Sequence, residues 1–191
     1  MDSRAVINGG IMRLETGRKI EIDRWDLIIA HPPCTYLSNV ATRQHSPKMT
    51  PMNWIDARTR SRIDAMGFFM DFVYANCDKI AIENPVGIMN TAYRKPDQII
   101  HPYFFADGVD DEENYHSQRT CLWLKGLDIL KPTSDLPAPE PVYICEGEKS
   151  KGKRINWTEA MRGISGGQEE RAKARSKTFP GIAKAMAEQW G

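Results

Sequence analysis

Several features that would mark a specialised class of protein are missing. No apolar run approaches the roughly 18 residues needed to span a membrane, and the opening Met1-Asp2-Ser3-Arg4 carries no apolar signal segment. A soluble, cytoplasmic protein with no membrane partner is therefore expected. Cysteine is scarce and scattered, at positions 34, 77, 121 and 145, with no C-x-x-C pair. That spacing argues against a zinc ribbon and against a secreted disulfide framework. No ligand pair has zinc-finger spacing, so no metal is expected. An excess of one charge is missing too. Twenty-six basic residues face 25 acidic ones, for a net charge of +1, so any grip on nucleic acid must come from a local patch.

What is present is enough for one domain with a proper core. The 191 residues are 41% hydrophobic and 27% charged, which excludes a disordered segment or a fibre. The first 24 residues hold a turn signal, Asn8-Gly9-Gly10, and an alternating stretch that reads as a hairpin. Residues 25–30 form a short apolar run stopped by His31-Pro32-Pro33-Cys34, which reads as a buried strand of the parallel kind. A polar loop follows, then a helix over residues 56–75 with Ile63, Met66, Met70 and Val73 on its apolar face. Residues 79–85 give a second buried strand ended by Pro85, and residues 120–125 a third. Strand, helix and strand make a βαβ unit.

Beyond residue 130 the composition changes. Four prolines (132, 137, 139 and 141) and a basic, glycine-containing stretch from Lys149 to Lys177 predict an irregular basic lobe over 131–175. A final helix follows, with Ile182, Met186 and Trp190 on one face. The expected architecture is α/β: a partial doubly wound sheet over residues 1–130, closed by 176–191, with the lobe inserted between them.

In an open α/β sheet the ligand crevice lies outside the carboxyl ends of the strands. Cys34 falls just past one such end and Glu83 at the other, so on neighbouring strands they would face one crevice. A thiolate there could act as a nucleophile if positive charge favours it. The plainer alternative is that Cys34 fills a small apolar gap and Glu83 makes an ordinary ion pair.

Pro32-Pro33-Cys34, Glu83-Asn84-Pro85 and Gln118-Arg119-Thr120-Cys121-Leu122-Trp123-Leu124 resemble the ordered motifs of DNA cytosine-5 methyltransferases. The nearest subgroup is the compact, phage-encoded cytosine methyltransferase-like proteins, whose closing helix Ser176-Lys177-Thr178-Phe179-Pro180-Gly181-Ile182-Ala183 also resembles. The resemblance covers residues 22–130 and 174–191 and implies a Rossmann-like methyltransferase sheet. It implies that Cys34 attacks carbon 6 of a flipped cytosine, that Glu83 holds the ring nitrogen and exocyclic amine, and that Arg119 steadies the site. Pro33, Asn84 and Gln118 would line the base. Lys151, Lys153, Arg154, Arg171, Lys173 and Arg175 would hold DNA phosphates.

One part of the family pattern has no counterpart. Family members place a glycine-rich strand-to-helix turn for S-adenosylmethionine ahead of the Pro-Pro-Cys loop. Here only 33 residues precede Cys34, without a G-x-G turn that opens a helical pattern. Three readings follow. The chain is a reduced cytosine-5 methyltransferase whose donor site is completed by a second chain or a homo-oligomer. Or it is a pyrimidine-modifying enzyme that does not use S-adenosylmethionine. Or it is an inactive homologue serving as a DNA-binding or inhibitory module.

Overall fold

The computed structural model describes residues 3–43, 45, 48, 50–148, 151–155 and 179–191. The chain divides into two compact units, residues 1–99 with 120–129, and residues 100–119 with 130–191. This division differs from the expected one. The stretch 100–119 leaves the core unit, and the closing helix belongs with it and with the residues beyond 130 rather than with residues 1–99.

In the first unit a 3-10 turn at Ser3–Val6 leads into a two-stranded antiparallel hairpin of β1 (Gly10–Arg13) and β2 (Lys19–Ile22). The main sheet contains β3 (Ile28–Ala30), β4 (Ile80–Pro85), β5 (Gln98–Ile100) and β6 (Thr120–Lys125), in the order β3-β4-β6-β5. β3 and β4 run parallel with Ala30 opposite Ile82, whereas β6 runs antiparallel to β4 with Thr120 opposite Pro85. The sheet is therefore mixed, and the fold is mixed α/β. β4 sits in its interior, and its Ile80, Ala81 and Ile82 are buried, as a continuous apolar run without alternation requires.

Two short helices, α1 (Asn39–Arg43) and α3 (Met89–Ala92), follow the loops at the ends of β3 and β4. Between them α2 (Met52–Val73) makes the βαβ connection. It starts at Pro51, whose carbonyl accepts the amides of Trp54 and Ile55. Proline suits a helix start because its missing N–H would have had no partner there. α2 thus begins earlier than its apolar periodicity predicts. Of its expected apolar face, Met66, Met70 and Val73 are half-buried and pack against the core, with Phe69 and Phe72 buried among them, while Ile63 is 64% exposed. The aromatic rings outweigh the smaller Ile63 because they cover more apolar area. Phe69 meets Trp123 of β6 edge-on at 5.1 Å, and Tyr93 at 6.1 Å. The Trp123 indole N–H donates to the Arg94 carbonyl, so the largest core ring leaves no buried donor unpaired.

The approach to β5 is tied to β6 by Asp97. Its carboxylate takes two hydrogen bonds from Arg94, at 2.9 and 2.7 Å, and one from the Leu124 amide at 2.7 Å. Partial burial alone would raise the Asp97 pKa, but these donors outweigh it and hold the carboxyl below its ordinary value.

In the second unit a 3-10 turn at Pro102–Phe105 packs with α4 (Pro180–Trp190). Ile182, Met186 and Trp190 are buried on one face of α4, as their spacing predicts. The Asn114 side chain accepts the Gly181 amide at 2.7 Å, and Gln189 exchanges two hydrogen bonds with the Lys131 backbone. Within the expected irregular lobe, β7 (Tyr143–Ile144) and β8 (Arg154–Ile155) form a small antiparallel hairpin.

Gly87 marks the tightest crossing in the first unit. A Cβ there would lie 2.0 Å from the Leu37 carbonyl oxygen and 2.9 Å from the Ser38 Cα. Gly87→Ala is expected to destabilise the protein by about 2 kcal/mol or more, since backbone must shift to admit the methyl group; urea unfolding checks this. For Asp97, a folded pKa below the unfolded one gives stability that is complete above about pH 3.9. It is lost as the pH falls through the folded value. The Asp97 and Arg94 side chains are both about one-third exposed, which keeps the contribution small. Asp97→Asn should lower the urea midpoint at neutral pH and flatten its fall in acid.

Candidate active site

The site is built where the two parallel strands end. Because Ala30 lies opposite Ile82, the next residues, His31 and Glu83, come out side by side. His31 Nδ1 lies 3.0 Å from Glu83 Oε2. One residue further along each chain, the Asn84 side-chain amide donates to the Pro32 carbonyl at 2.7 Å, in a buried position. Proline supplies no N–H to a ladder, so at this point a side chain does what a backbone pair would otherwise do. The same asparagine keeps a cost. Its Oδ1 is buried and meets no donor among the described residues, which is uncommon in folded proteins.

The loops beyond are locked together. The Leu37 carbonyl accepts the Ile88 amide at 2.8 Å and the Asn39 amide donates to the Val86 carbonyl at 3.2 Å. Ser38 and Gly87 form an isolated antiparallel bridge. The Asn90 side chain accepts the Gly87 amide at 2.9 Å, and Leu37 is fully buried beneath the crossing. This is why glycine stands at 87: any Cβ would push the two loops apart.

Cys34 lies at the head of the first loop. Its carbonyl accepts the amides of Leu37 and Ser38, both at 3.1 Å, in a tight turn. The residue is exposed and outside any disulfide, whereas Cys77 and Cys121 are buried and Cys145 is half-buried. Pro33 is exposed beside it and Pro32 is buried. Cys34, Glu83 and Asn84 thus stand at the carboxyl ends of adjacent, in-register strands, with Pro33 next to the thiol. Exposure disfavours the reading of Cys34 as an apolar plug.

Gln118 and Arg119 belong to the second unit. Arg119 is exposed, and Gln118 is half-buried with an Oε1 that meets no donor among the described residues. Close to Arg119, the His101 imidazole has its pKa lowered by burial and by the arginine's charge. Of the expected phosphate contacts, Lys151 and Lys153 are exposed around the turn that leads into β8, and Arg154 opens that strand. Arg171, Lys173 and Arg175 lie outside the described residues.

The residues ahead of β3 do not fit a cradle for S-adenosylmethionine. Gly9 and Gly10 carry positive φ angles of 89° and 116° and lead into a hairpin, not a helix. A Cβ on Gly9 would lie 2.5 Å from the Asp23 carbonyl oxygen, so that glycine serves the close packing of the hairpin against its own return strand. The other glycine-containing stretch, residues 163–167, lies outside the described residues. Among the described residues no three metal-ligating side chains cluster, and no helix is long and apolar enough to cross a membrane.

His31 has a place at this site that spacing alone does not reveal. The signal was the register: one residue past Ala30 and one past Ile82 must be neighbours if the strands pair without a bulge. No family model, no curated protein and no solved structure matches the chain.

Asn84→Ala is expected to cost about 2–3 kcal/mol, because it leaves the buried Pro32 carbonyl without a donor and opens a cavity. Thermal and urea unfolding measure the loss. Loss of the clamp should also raise the reactivity of Cys34 toward a thiol reagent, because the turn is freed.

Proposed function

We propose that this chain is a cytosine-directed enzyme resembling DNA cytosine-5 methyltransferases, in which Cys34 activates the base by covalent addition. The observation that carries the reading is the pairing of an exposed Cys34 with Glu83 at the ends of two in-register parallel strands. The mixed sheet is read here as part of a Rossmann-like, doubly wound methyltransferase core. Doubly wound sheets commonly tolerate an antiparallel member, so the direction of β6 agrees with that reading.

The chemistry follows from the groups. The Cys34 thiolate adds to carbon 6 of cytosine as the Glu83 carboxyl gives its proton to ring nitrogen 3. The electron pair of the 5,6 double bond is thereby placed on an enamine whose carbon 5 is nucleophilic. Carbon 5 takes an electrophile, loses its own hydrogen as a proton, and expulsion of the thiolate restores the double bond. Glu83 takes back the nitrogen-3 proton as the thiolate leaves. His31, in hydrogen-bond contact with Glu83, shares and relays that proton. The resemblance gives Arg119 and Gln118 a role at the flipped base, and the basic residues around β8 a grip on DNA phosphates.

S-adenosylmethionine is the electrophile that the resemblance implies. The glycines ahead of β3 are committed to a hairpin and do not fit a cradle for it. A donor site completed by a second chain is consistent with β3 having no strand partner on its outer side among the described residues. The hairpin also lends weight to a second reading, pyrimidine chemistry with a different electrophile, since the base-activating half needs no donor.

That half can be tested by itself. In heavy water without any donor, carbon 5 of the enamine takes a deuteron, so cytosine-containing DNA or nucleotide should exchange its carbon-5 hydrogen. Mass spectrometry should find this exchange in the wild-type protein and none in Cys34→Ala. Glu83→Gln should slow it by about 100-fold or more, and His31→Gln by less. Exchange that persists in Cys34→Ala, or no exchange with any cytosine substrate, would sink the reading.

A further inference from the structure

α2 turns a basic face toward the loop that carries Cys34. Arg62 Nε donates to the Tyr36 carbonyl at 3.0 Å, and its Nη2 donates to Thr42 Oγ1 at 3.3 Å. One turn earlier on the same face, the Arg58 guanidinium carbon lies 5.5 Å from the centre of the Tyr36 ring. The loop then brings His45 to this face, its amide donating to the Thr42 carbonyl at 3.1 Å. Tyr36 is two residues past Cys34, so the arginines contact the loop that carries the proposed nucleophile. All of these residues belong to the first unit.

Like charges act on one another along this face. Arginines four residues apart on a helix repel each other, and Arg62 forms no ion pair with any carboxylate among the described residues. Its pKa is lowered by burial and then by Arg58. The imidazole of His45 feels burial first, then Arg62 and Arg58, all of them disfavouring a proton. Its Nε2 is buried and meets no partner among the described residues. A guanidinium has five N–H donors, and the two hydrogen bonds of Arg62 leave three for another acceptor. Donors of this planar kind match phosphate oxygens.

We propose that Arg58, Arg62 and His45 form a phosphate site beside Cys34, and that it holds the phosphate of the pyrimidine nucleotide whose base the thiol attacks. The assignment of that phosphate to a substrate rests on the covalent reading above; the phosphate site itself does not. A bound phosphate takes up the remaining donors of Arg62 and fixes the sugar end of the nucleotide, leaving the ring to reach Cys34 and Glu83. The substrate is then a phosphorylated cytosine nucleotide, not the free nucleoside. The phosphate can belong to a mononucleotide or to a DNA strand.

The test uses the full chain. Inorganic phosphate is titrated while the ring nitrogens of His45 are followed by NMR, and deoxycytidine monophosphate, deoxycytidine and a single-stranded oligonucleotide with one cytosine are compared by calorimetry. A saturable shift at His45 is expected, with the monophosphate bound at least about 10-fold tighter than deoxycytidine. Arg58→Gln and Arg62→Gln should each remove about 10-fold or more of that advantage. Arg62 also ties down Tyr36 and Thr42, so Arg58→Lys provides a control that keeps the charge. It should retain much of the phosphate binding that Arg58→Gln loses, which a merely structural role would not produce. An oligonucleotide bound far tighter than the monophosphate through the same arginines makes DNA the source of the phosphate; equal affinities make it the monoester. The site is overturned if phosphate leaves His45 unmoved, or if the glutamine variants keep the full preference for the monophosphate. Failure of carbon-5 exchange with the phosphate site intact removes only the covalent reading. Exchange that runs equally well on deoxycytidine and on its monophosphate removes only the substrate assignment.

Discussion

The hydrogen bond from the Asn84 side chain to the Pro32 carbonyl is the constraint on which the site depends. Each of the two parallel strands runs into proline where it leaves the sheet, and proline cannot extend a backbone ladder. A side-chain amide therefore bridges the gap, and the loops that follow meet at Gly87 with no room for a side chain. Everything placed by those loops inherits their precision: the turn at Cys34, the contact between His31 and Glu83, and the contacts that Tyr36 and Thr42 make with α2. The site belongs to the class in which rigid strand ends aim mobile chemistry.

Around this clamp the charges are arranged unevenly. Glu83 and His31 share one contact at the strand ends, while Arg58 and Arg62 meet the Cys34 loop at Tyr36, with their charges felt by His45. A nucleotide has a matching asymmetry, with a polar, nearly neutral base at one end and a phosphate anion at the other. That correspondence is the ground on which the proposed covalent chemistry and the proposed phosphorylated substrate meet.

Much of the first unit was legible in the sequence because its signals are local and strong. The apolar runs ending at His31 and at Glu83 become β3 and β4, and the run at 120–125 becomes β6. Other features escaped for identifiable reasons. β5 has three residues, too few for any periodicity to register. Ile63 fits the apolar spacing of α2, yet Phe69 and Phe72 take the core because rings bury more area. The direction of β6 is set by its connection, which strand propensity does not encode. The partnership of His31 with Glu83 was implicit in the register, but register requires knowing that the strands are neighbours. The grouping of 100–119 with the second unit is set by tertiary contacts that its composition, aromatic at 103–105 and acidic at 107–113, does not encode. Its Ile100 and Phe105 are buried in that unit.

The strand order has a consequence for how the protein opens. β3 has three residues and pairs only with β4 among the described residues, whereas β4 is held on both sides along the sheet. Free energies of local opening follow such differences in support, so a protein loosens first at its least-buttressed cooperative segment. Here the three-residue ladder of β3 gives little hold of its own. The exit of that strand is kept in place by the Asn84–Pro32 hydrogen bond and the loop crossing at Gly87 rather than by the sheet. Two side-by-side strands of unequal support thus share one fastening, and it lies beyond the ladder, at the residues that follow it.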